Sequence, residues 1–321
     1  MAAFHELPKA ELHLHLEGSA TPDWMRELAP EASAAEIRER FTFRTFGGFL
    51  ECYKWIVEHL RGPDDYALLA RRLLETLARQ NVRYAEITLS AGVVIWKKQE
   101  FGLIYEAVRR EAAKSAVEVR WNLDAVRHFG ADHAMQVAQL AAERLGDGVV
   151  SFGIGGEEER GPAEWFTEVY RFARASGLRL TAHAGETAGA QSVWAALRLG
   201  AERIGHGIRA VEDPALVRHL RDQNIPLEIC ISSNIATGVV ASLREHPVRH
   251  FYDAGVPIVL NTDDPGLFAT TLTREYELAA SEFGFSEAEL EGIVENGFRY
   301  AFAHEGSGVE QPSTSSRKLL E

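Results

Sequence analysis

The feature that most constrains the fold of this chain is an alternation of short β-rich runs with segments of helical periodicity. The β-rich runs predict eight strands, at residues 12–16, 83–89, 117–124, 149–154, 178–183, 203–205, 226–230 and 257–262. Amphipathic helices are predicted between them, at residues 65–80, 103–115, 133–145, 163–176, 191–199 and 214–223. A parallel neighbour requires a crossover connection, so this alternation indicates parallel strand pairing. Eight such strands close into a barrel.

The competing architecture is an open, doubly wound sheet, whose dinucleotide-binding form carries a G-x-G-x-x-G turn. Here Gly153-Ile-Gly155 is followed by Gly156-Glu157-Glu158, so that fingerprint is missing from the sequence. The predicted fold class is therefore α/β, a (β/α)8 TIM-type barrel with a helical insertion after strand 1.

The domain organisation follows from where linkers and insertions fall. No stretch rich in proline, glycine and serine interrupts residues 1–304, which predicts a single domain. Residues 21–62, between the first two strands, carry helical patterns at 24–28 and 46–59 and are interpreted as a lid. Residues 305–321 are polar and are predicted to form a flexible tail.

The charge and cysteine content limit the partners and the compartment. The chain has 34 Lys and Arg against 47 Asp and Glu, a net charge of −13. Nucleic acids and anionic membranes attract basic surfaces, so neither is expected as a partner, whereas a phosphate-free nucleoside is compatible. Cys52 and Cys230 form neither a CxxC pair nor a disulfide framework. With no apolar signal-peptide core and no run of about 20 apolar residues, a cytoplasmic location is expected. The oligomeric state is left open.

Two histidines, His13 and His15, alternate with leucines in the first predicted strand. Residues i and i+2 of a strand project from the same face, so both imidazoles can enter the barrel and share one metal ion. The flanking leucines indicate a core strand, in which unpaired imidazoles are costly. The pattern alone fits two surface or hydrogen-bonded histidines equally well.

Further chemistry-bearing residues follow the ends of later predicted strands. TAHAGE ends the fifth strand with His183 and places Glu186 in the next loop, IGHG ends the sixth with His206, and NTDDP ends the eighth with Asp263 and Asp264. Active sites of such barrels form at this C-terminal face. Adjacent carboxylates there require a cation or hydrogen-bond donors. The alternatives are a helix-start carboxylate for Glu186 and an Asp-Pro turn for Asp264.

Taken together, these motifs predict a metal-assisted hydrolase. Imidazole and carboxylate ligands in this mixture suit zinc or a similar divalent ion. Zinc lowers the pKa of a bound water to about 7, which supplies hydroxide at neutral pH. Glu186 and His206 are available as an acid and a base.

The same motifs, in the same order, resemble the adenosine deaminase family, a branch of the metal-dependent amidohydrolase-like barrels. The resemblance covers nearly the whole chain: LPKAELHLHLEG, TAHAGE, AERIGHG, SSN and NTDDP. It implies a zinc-dependent purine nucleoside aminohydrolase that converts a 6-aminopurine to the 6-oxopurine and ammonia. The cytidine deaminase fold needs a P-C-x-x-C motif, which the two isolated cysteines exclude.

The resemblance also implies residue roles. One zinc ion per chain would be held by four ligands: His13, His15, His183 and Asp263. Glu186 would protonate purine N1, and His206 would orient and deprotonate the attacking water. Asp264 would hydrogen-bond N7, and the backbone N–H of Gly156 would reach N3.

The identity of the 6-aminopurine depends on less specific positions. Glu17 stands where adenosine deaminases usually carry an aspartate associated with the ribose 5′-hydroxyl, and its HLHLEG context resembles adenine deaminases and aminodeoxyfutalosine deaminases of menaquinone biosynthesis. Residues 232–238 (SSNIATG) are closer to the nucleoside-acting enzymes, and TLSAGVVIWK and SLREHPVRH resemble the aminodeoxyfutalosine branch. We therefore expect an adenosine-type nucleoside, with aminodeoxyfutalosine favoured and free adenine as the alternative.

Four aromatic residues after Glu17 bear on the same question. Phe46, Phe49, Tyr53 and Trp55 are expected to line a site for a larger 5′ substituent, or else to form the core face of a lid helix. A catalytically inactive barrel that serves as a binding protein is the alternative of another class. It predicts loss of a metal ligand or of Glu186, and the sequence retains them all.

Overall fold

A computed structural model describes residues 3–302 of the chain. Its eight strands are Lys9–His15 (β1), Val82–Leu89 (β2), Glu118–Val126 (β3), Val149–Gly155 (β4), Arg179–Ala184 (β5), Arg203–His206 (β6), Leu227–Ile229 (β7) and Ile258–Leu260 (β8). Each strand pairs in parallel with the next, in the order β1 to β8. The ring is completed between β1 and the segment after β8, where Asp263 accepts from the His15 N–H at 2.8 Å and donates to His13 O at 3.0 Å. The predicted (β/α)8 barrel is confirmed.

The helices lie mainly between consecutive strands. They are Ala3–Glu6 (α1), Pro22–Leu28 (α2), Ala34–Arg40 (α3), Phe46–Glu58 (α4), Pro63–Arg79 (α5), Ala91–Trp96 (α6), Phe101–Ala112 (α7), Ala131–Glu143 (α8), Thr167–Ala175 (α9), Ala190–Leu199 (α10), Pro214–Asp222 (α11), Ile231–Ala236 (α12), Val248–Asp253 (α13), Leu272–Phe283 (α14) and Glu287–Arg299 (α15). Short 3₁₀ turns occupy Glu17–Ser19, Arg127–Phe129, Leu145–Asp147, Glu158–Arg160, Ala163–Phe166, Ile208–Glu212 and Leu243–Glu245. No helix within residues 3–302 combines the length and apolar character needed to cross a membrane.

Some element boundaries differ from the prediction. The expected helix at 163–176 is divided into a 3₁₀ turn and α9. The strands predicted at 226–230 and 257–262 pair only over three residues each. The first ends early because the chain enters α12 at Ile231, and the second because residues 261–263 turn towards β1, where Asp263 adopts a left-handed φ of 65°.

The insertion between β1 and β2 contains three helices, α2 to α4. Side-chain oxygens of Thr21, Ser33 and Thr45 accept hydrogen bonds from the first turns of these helices, which is how N-cap residues start a helix. The helix predicted at 46–59 corresponds to α4, which buries Phe49 and Trp55. The predicted tail at 305–321, and the last two residues of the proposed domain, lie outside the described residues.

A buried ion-pair cluster closes the N-terminal end of the barrel. The Arg203 guanidinium of β6 pairs with Glu86 of β2 and, at 2.6 Å, with Glu228 of β7, and it lies 3.6 Å from the centre of the Phe302 ring. The second oxygen of Glu228 lies 2.7 Å from His13 Nδ1. This cluster therefore connects the barrel floor to a histidine at the opposite end of the strands.

Candidate active site and metal centre

The predicted site residues converge at the C-terminal end of the barrel. His13 and His15 come from β1, His183 from β5 and His206 from the last position of β6, while Asp263 follows β8. Ligand atoms of His13, His183, His206 and Asp263 all lie within 4.8 Å of one another. His15 Nε2 lies 3.2 Å from His183 Nε2 and 3.4 Å from Asp263 Oδ1. His15 thus adjoins this four-residue cluster through His183 and Asp263.

The hydrogen-bond partners of the imidazoles show which nitrogens are free to bind a cation. His183 Nδ1 faces Ile154 O at 3.1 Å and must donate to it, because a carbonyl only accepts. His13 Nδ1 likewise lies 2.7 Å from Glu228 Oε2. Each of these rings therefore directs Nε2 to the centre, and a partner on the other nitrogen is the usual support of a metal-bound histidine.

The centre itself carries the signs of a cation site. Within residues 3–302, His13 Nε2 is buried without a hydrogen-bond partner and lies 3.3 Å from Asp263 Oδ1. Although burial acts in the opposite sense, the carboxylates of Asp263 and Glu228 beside the ring raise the pKa of His13 to about 10. The two carboxylates thus favour positive charge at this ring. The nitrogen and oxygen donor set fits a divalent metal such as zinc.

The backbone at the centre is held in uncommon conformations. His206 and Asp263 have φ values of 61° and 65°, a region that non-glycine residues rarely adopt except where the surroundings enforce it. A Cβ at Gly205 would lie 2.7 Å from His13 Cε1. The glycine before His206 is therefore required for the close approach of the His13 ring to β6.

The adjacent carboxyl groups, Asp263 and Asp264, have opposite electrostatic environments. Burial alone would raise the pKa of Asp263, but the adjacent His13 imidazole and the charge of His206 hold it well below its usual range. Ser233 Oγ donates to Asp263 Oδ2 at 2.7 Å. Burial and the charge of Asp263 raise the pKa of Asp264 well above its usual range, and its Oδ1 has no protein partner among the described residues. Asp264 thus presents an unpartnered carboxyl oxygen at the site, in surroundings that disfavour its ionised form.

Glu186 lies in the loop after β5, with Oε2 3.8 Å from His206 Nε2. Burial and the neighbouring carboxylates of Asp263 and Glu158 raise its pKa well above the usual range. The loop is held by Glu158, whose carboxylate accepts hydrogen bonds from the backbone N–H groups of residues 185–188 at 2.8–3.2 Å. Glu158 was not identified from the sequence, since nothing in its local pattern marks it.

A cavity of about 360 Å³ opens beside this centre, within the range of small-molecule sites. Gly156, with φ 92°, lines it together with Glu186 and Asp264. Phe46, Phe49 and Tyr53 of α4 form part of its apolar wall. Trp55, by contrast, is buried against Arg40 and His59 and does not line the cavity.

Glu17 follows β1 but does not line the cavity. β1 ends at His15, and Glu17 begins a 3₁₀ turn that is fully buried. Its carboxyl accepts from the Ser90 N–H at 3.0 Å and from Tyr53 Oη at 3.4 Å. Burial and the nearby Asp124 raise the pKa of Glu17 to about 8. Ser90, Tyr53 and Asp124 line the cavity, and Glu17 lies behind them.

Ser90 and Asp124 are additional polar groups that the sequence analysis did not select. Ser90 follows β2, and Asp124 lies two residues before the end of β3. Ser90 Oγ donates to Asp124 Oδ1 at 3.1 Å. Their position at the ends of predicted strands was an available signal, the same one that identified His183 and Asp263.

Comparison with known proteins places this geometry in a family. The sequence profile of the adenosine deaminase family matches residues 8–309. An aminodeoxyfutalosine deaminase of Streptomyces coelicolor is 40% identical over 92% of this chain and 80% of its own length. An adenine deaminase of Rhizobium leguminosarum is 39% identical over 93% of this chain and 96% of its own length.

Solved structures agree with the sequence relatives. An adenine deaminase of Arthrobacter aurescens superposes with a TM-score of 0.86 at 28% identity, covering 93% of this chain and 94% of that one. A zinc-bound amidohydrolase of Burkholderia ambifaria superposes with a TM-score of 0.87 at 30% identity, covering 95% and 88% of the two chains. The chain therefore belongs to the adenosine deaminase family and is an enzyme of the hydrolytic deaminase type.

Proposed function

We propose that this enzyme removes the 6-amino group of an adenosine-type purine nucleoside with an enlarged 5′ end, with aminodeoxyfutalosine as the favoured substrate. Water and the nucleoside are converted to the 6-oxopurine nucleoside and ammonia. The observation that carries the proposal is that two carboxyl groups with raised pKa values, Glu186 and Asp264, face a cavity beside a cluster of imidazoles and one ionised carboxylate.

The metal ligands are proposed to be His13, His15, His183 and Asp263, with one zinc ion per chain. Zinc, when bound, makes a water molecule available as hydroxide at neutral pH. His206 is excluded from the ligand set because its Nδ1 lies 3.1 Å from the Asn234 amide nitrogen, a donor, which leaves the ring proton on Nε2. That nitrogen then faces the attacking water as an N–H group.

The roles of the carboxyl groups follow from the electron flow. Attack at C6 moves electrons onto N1, and a neutral carboxyl at Glu186 supplies the proton that N1 then needs. Asp264, also neutral, can donate to N7, which is an acceptor. Gly156 is proposed to donate its backbone N–H to N3. The carboxyl of Glu17 acts behind Ser90 and Tyr53, so we propose that it shapes the 5′ end of the site through them.

The wall of the cavity supports a larger 5′ substituent. Besides Phe46 and Phe49, it includes Trp96 and Phe129, whose rings stack at 5.8 Å with an interplanar angle of 14°. Trp96 is 62% exposed. Exposed apolar surface beside a cavity is a mark of a binding site, so Trp96 is available to contact a 5′ substituent. Free adenine, the alternative, would leave this aromatic wall without a contact.

A comparison of three substrates tests the proposal. We expect kcat/KM for aminodeoxyfutalosine to exceed that for adenosine by at least tenfold, about 1.4 kcal/mol of transition-state discrimination. Trp96→Ala should reduce this preference while leaving turnover of adenosine nearly unchanged. Trp165→Ala is the matched control, because Trp165 is 58% exposed but does not line the cavity. Equal values for the two nucleosides would refute the 5′ proposal, and a preference for free adenine would establish the alternative.

A further inference from the structure

A series of buried hydrogen bonds extends outward from His206 to the backbone N–H of the first residue of α13. His206 Nδ1 lies 3.1 Å from Asn234 Nδ2, and Asn234 Oδ1 lies 3.1 Å from His246 Nε2. His246 Nδ1 lies 3.2 Å from the backbone nitrogen of Val248. All three side chains are buried. His246 touches neither the cavity nor the metal-binding cluster.

The Val248 N–H, at the outer end of this series, determines which atom donates in each of its hydrogen bonds. The Val248 N–H is a donor under all conditions, so His246 Nδ1 must accept and its Nε2 must carry the proton. Burial lowers the pKa of His246 to about 3, in agreement with a neutral ring. His246 then donates to Asn234 Oδ1, which turns the Asn234 amide NH₂ towards His206. A proton on His206 Nδ1 would face that NH₂ group, so His206 carries its proton on Nε2.

We propose that His246, acting through Asn234, holds His206 in the tautomer that presents an Nε2–H to the centre of the site. His246 and Asn234 are thus positioning residues. His206 donates a hydrogen bond to the attacking water and does not remove its proton. This differs from the role of base that the family resemblance implies. His206 thus differs in tautomer from His13 and His183, whose protons lie on Nδ1 and leave Nε2 free to bind a cation.

The effect of this tautomer on catalysis rests on the proposed deamination, whereas the tautomer of His206 itself does not depend on it. A hydrogen bond donated to an oxygen favours its ionised form, since such a bond stabilises the anion. His206 would therefore add to the effect of the metal on the water. His206, already protonated on Nε2, cannot accept the proton that the water loses, so that proton would pass to Glu186, which holds it and then delivers it to N1.

The tautomer can be measured directly by ¹⁵N NMR on the zinc-loaded protein with labelled histidine. We expect His206 to show a protonated Nε2 and an unprotonated Nδ1 in the wild type. His246→Leu removes the donor that orients Asn234, and His246→Gln restores one. His250→Leu is the matched control, because His250 lies four residues away on α13 and is exposed.

The variants separate positioning from folding. In His246→Leu we expect mixed His206 tautomers, unchanged zinc content, and a kcat lowered about 10–100-fold with KM within about twofold. This is part of the 10²–10³-fold that one well-placed donor contributes. His246→Gln should recover most of the kcat, and His250→Leu should match the wild type. A wild-type His206 protonated on Nδ1 would overturn the proposal even if His246→Leu failed to fold. So would a His246→Leu protein whose His206 remains wholly in the Nε2–H form.

Discussion

Glu158 offers the most direct test of how the fold positions the proposed acid. One of its oxygens accepts the N–H groups of Glu186, Thr187 and Ala188, and the other accepts the Gly185 N–H and the Ser192 hydroxyl. The substitution Glu158→Gln keeps the shape of the side chain and replaces one of these oxygens with an NH₂ group. Since the Ser192 hydroxyl can rotate to accept, the Gly185 N–H is the donor left without a partner.

The magnitude follows from these contacts. A buried donor left unpaired costs about 1–3 kcal/mol, and the three remaining bonds lose the contribution of a charged acceptor. Together we expect a loss of about 2–4 kcal/mol in the free energy of unfolding. For a chain of 321 residues this corresponds to a melting temperature lower by about 3–6 °C. Displacement of Glu186 by even about 1 Å should lower kcat by up to about 100-fold.

Calorimetry and steady-state kinetics on the same preparation check both effects. Glu157→Gln is the matched control, because Glu157 is the preceding residue but pairs with Arg160 at the surface. That substitution should change stability by less than about 0.5 kcal/mol, as surface changes usually do. If Glu158→Gln retains the melting temperature and kcat of the wild type, the carboxylate does not hold the loop and the reasoning is wrong.

Three further outcomes are expected. Chelation should remove activity and zinc should restore it, with about one zinc per chain by elemental analysis; a fully active metal-free protein would contradict the metal site. Glu186→Gln should retain zinc but lose about 10²–10⁴-fold in kcat, the usual contribution of a proton donor, and wild-type turnover would exclude it as the acid. Gly185→Ala should lower the melting temperature, because its Cβ would lie 2.5 Å from Val193 Cγ2 at a φ of 68°. The helical Gly292→Ala, with nothing within 4 Å, should instead leave it unchanged or raise it, and equal shifts would refute this account.

The fold could be predicted because its determinants are local. Alternating β-rich and amphipathic segments specify parallel pairing whatever the contacts between them, and all eight strands lie where that pattern placed them. The residues proposed to act at the site were also accessible, since each ends or follows a strand. His13 and His183 needed only the knowledge that such ends meet at one face of the barrel.

The supporting residues could not be predicted in this way. Glu158 follows β4 but holds the loop after β5, and His246 follows β7 but acts through Asn234 on His206 of β6, so their partners are set by tertiary packing. Glu17 shows the reverse problem, because the family resemblance associates its position with the ribose 5′-hydroxyl, whereas its carboxyl does not line the cavity. A 3₁₀ turn after His15 instead directs its carboxyl to the Ser90 N–H. The 3₁₀ turn that replaces an extended backbone at Glu17 is sufficient to place this side chain behind the cavity wall.

The distribution of charge among the buried carboxyl groups connects the metal centre to the recognition of a purine. Burial raises the pKa values of Glu186 and Asp264 well above the usual range. Asp263, beside the imidazoles, is held well below it, and Arg203 and His13 lower the pKa of Glu228 despite its burial. Negative charge is thus concentrated where a cation would be bound. The nitrogens N1 and N7 of a 6-aminopurine are acceptors that ionised carboxylates would repel. Neutral carboxyl groups at Glu186 and Asp264 can donate to both, so the burial that makes these groups costly in the fold is also what makes them suitable for the proposed substrate.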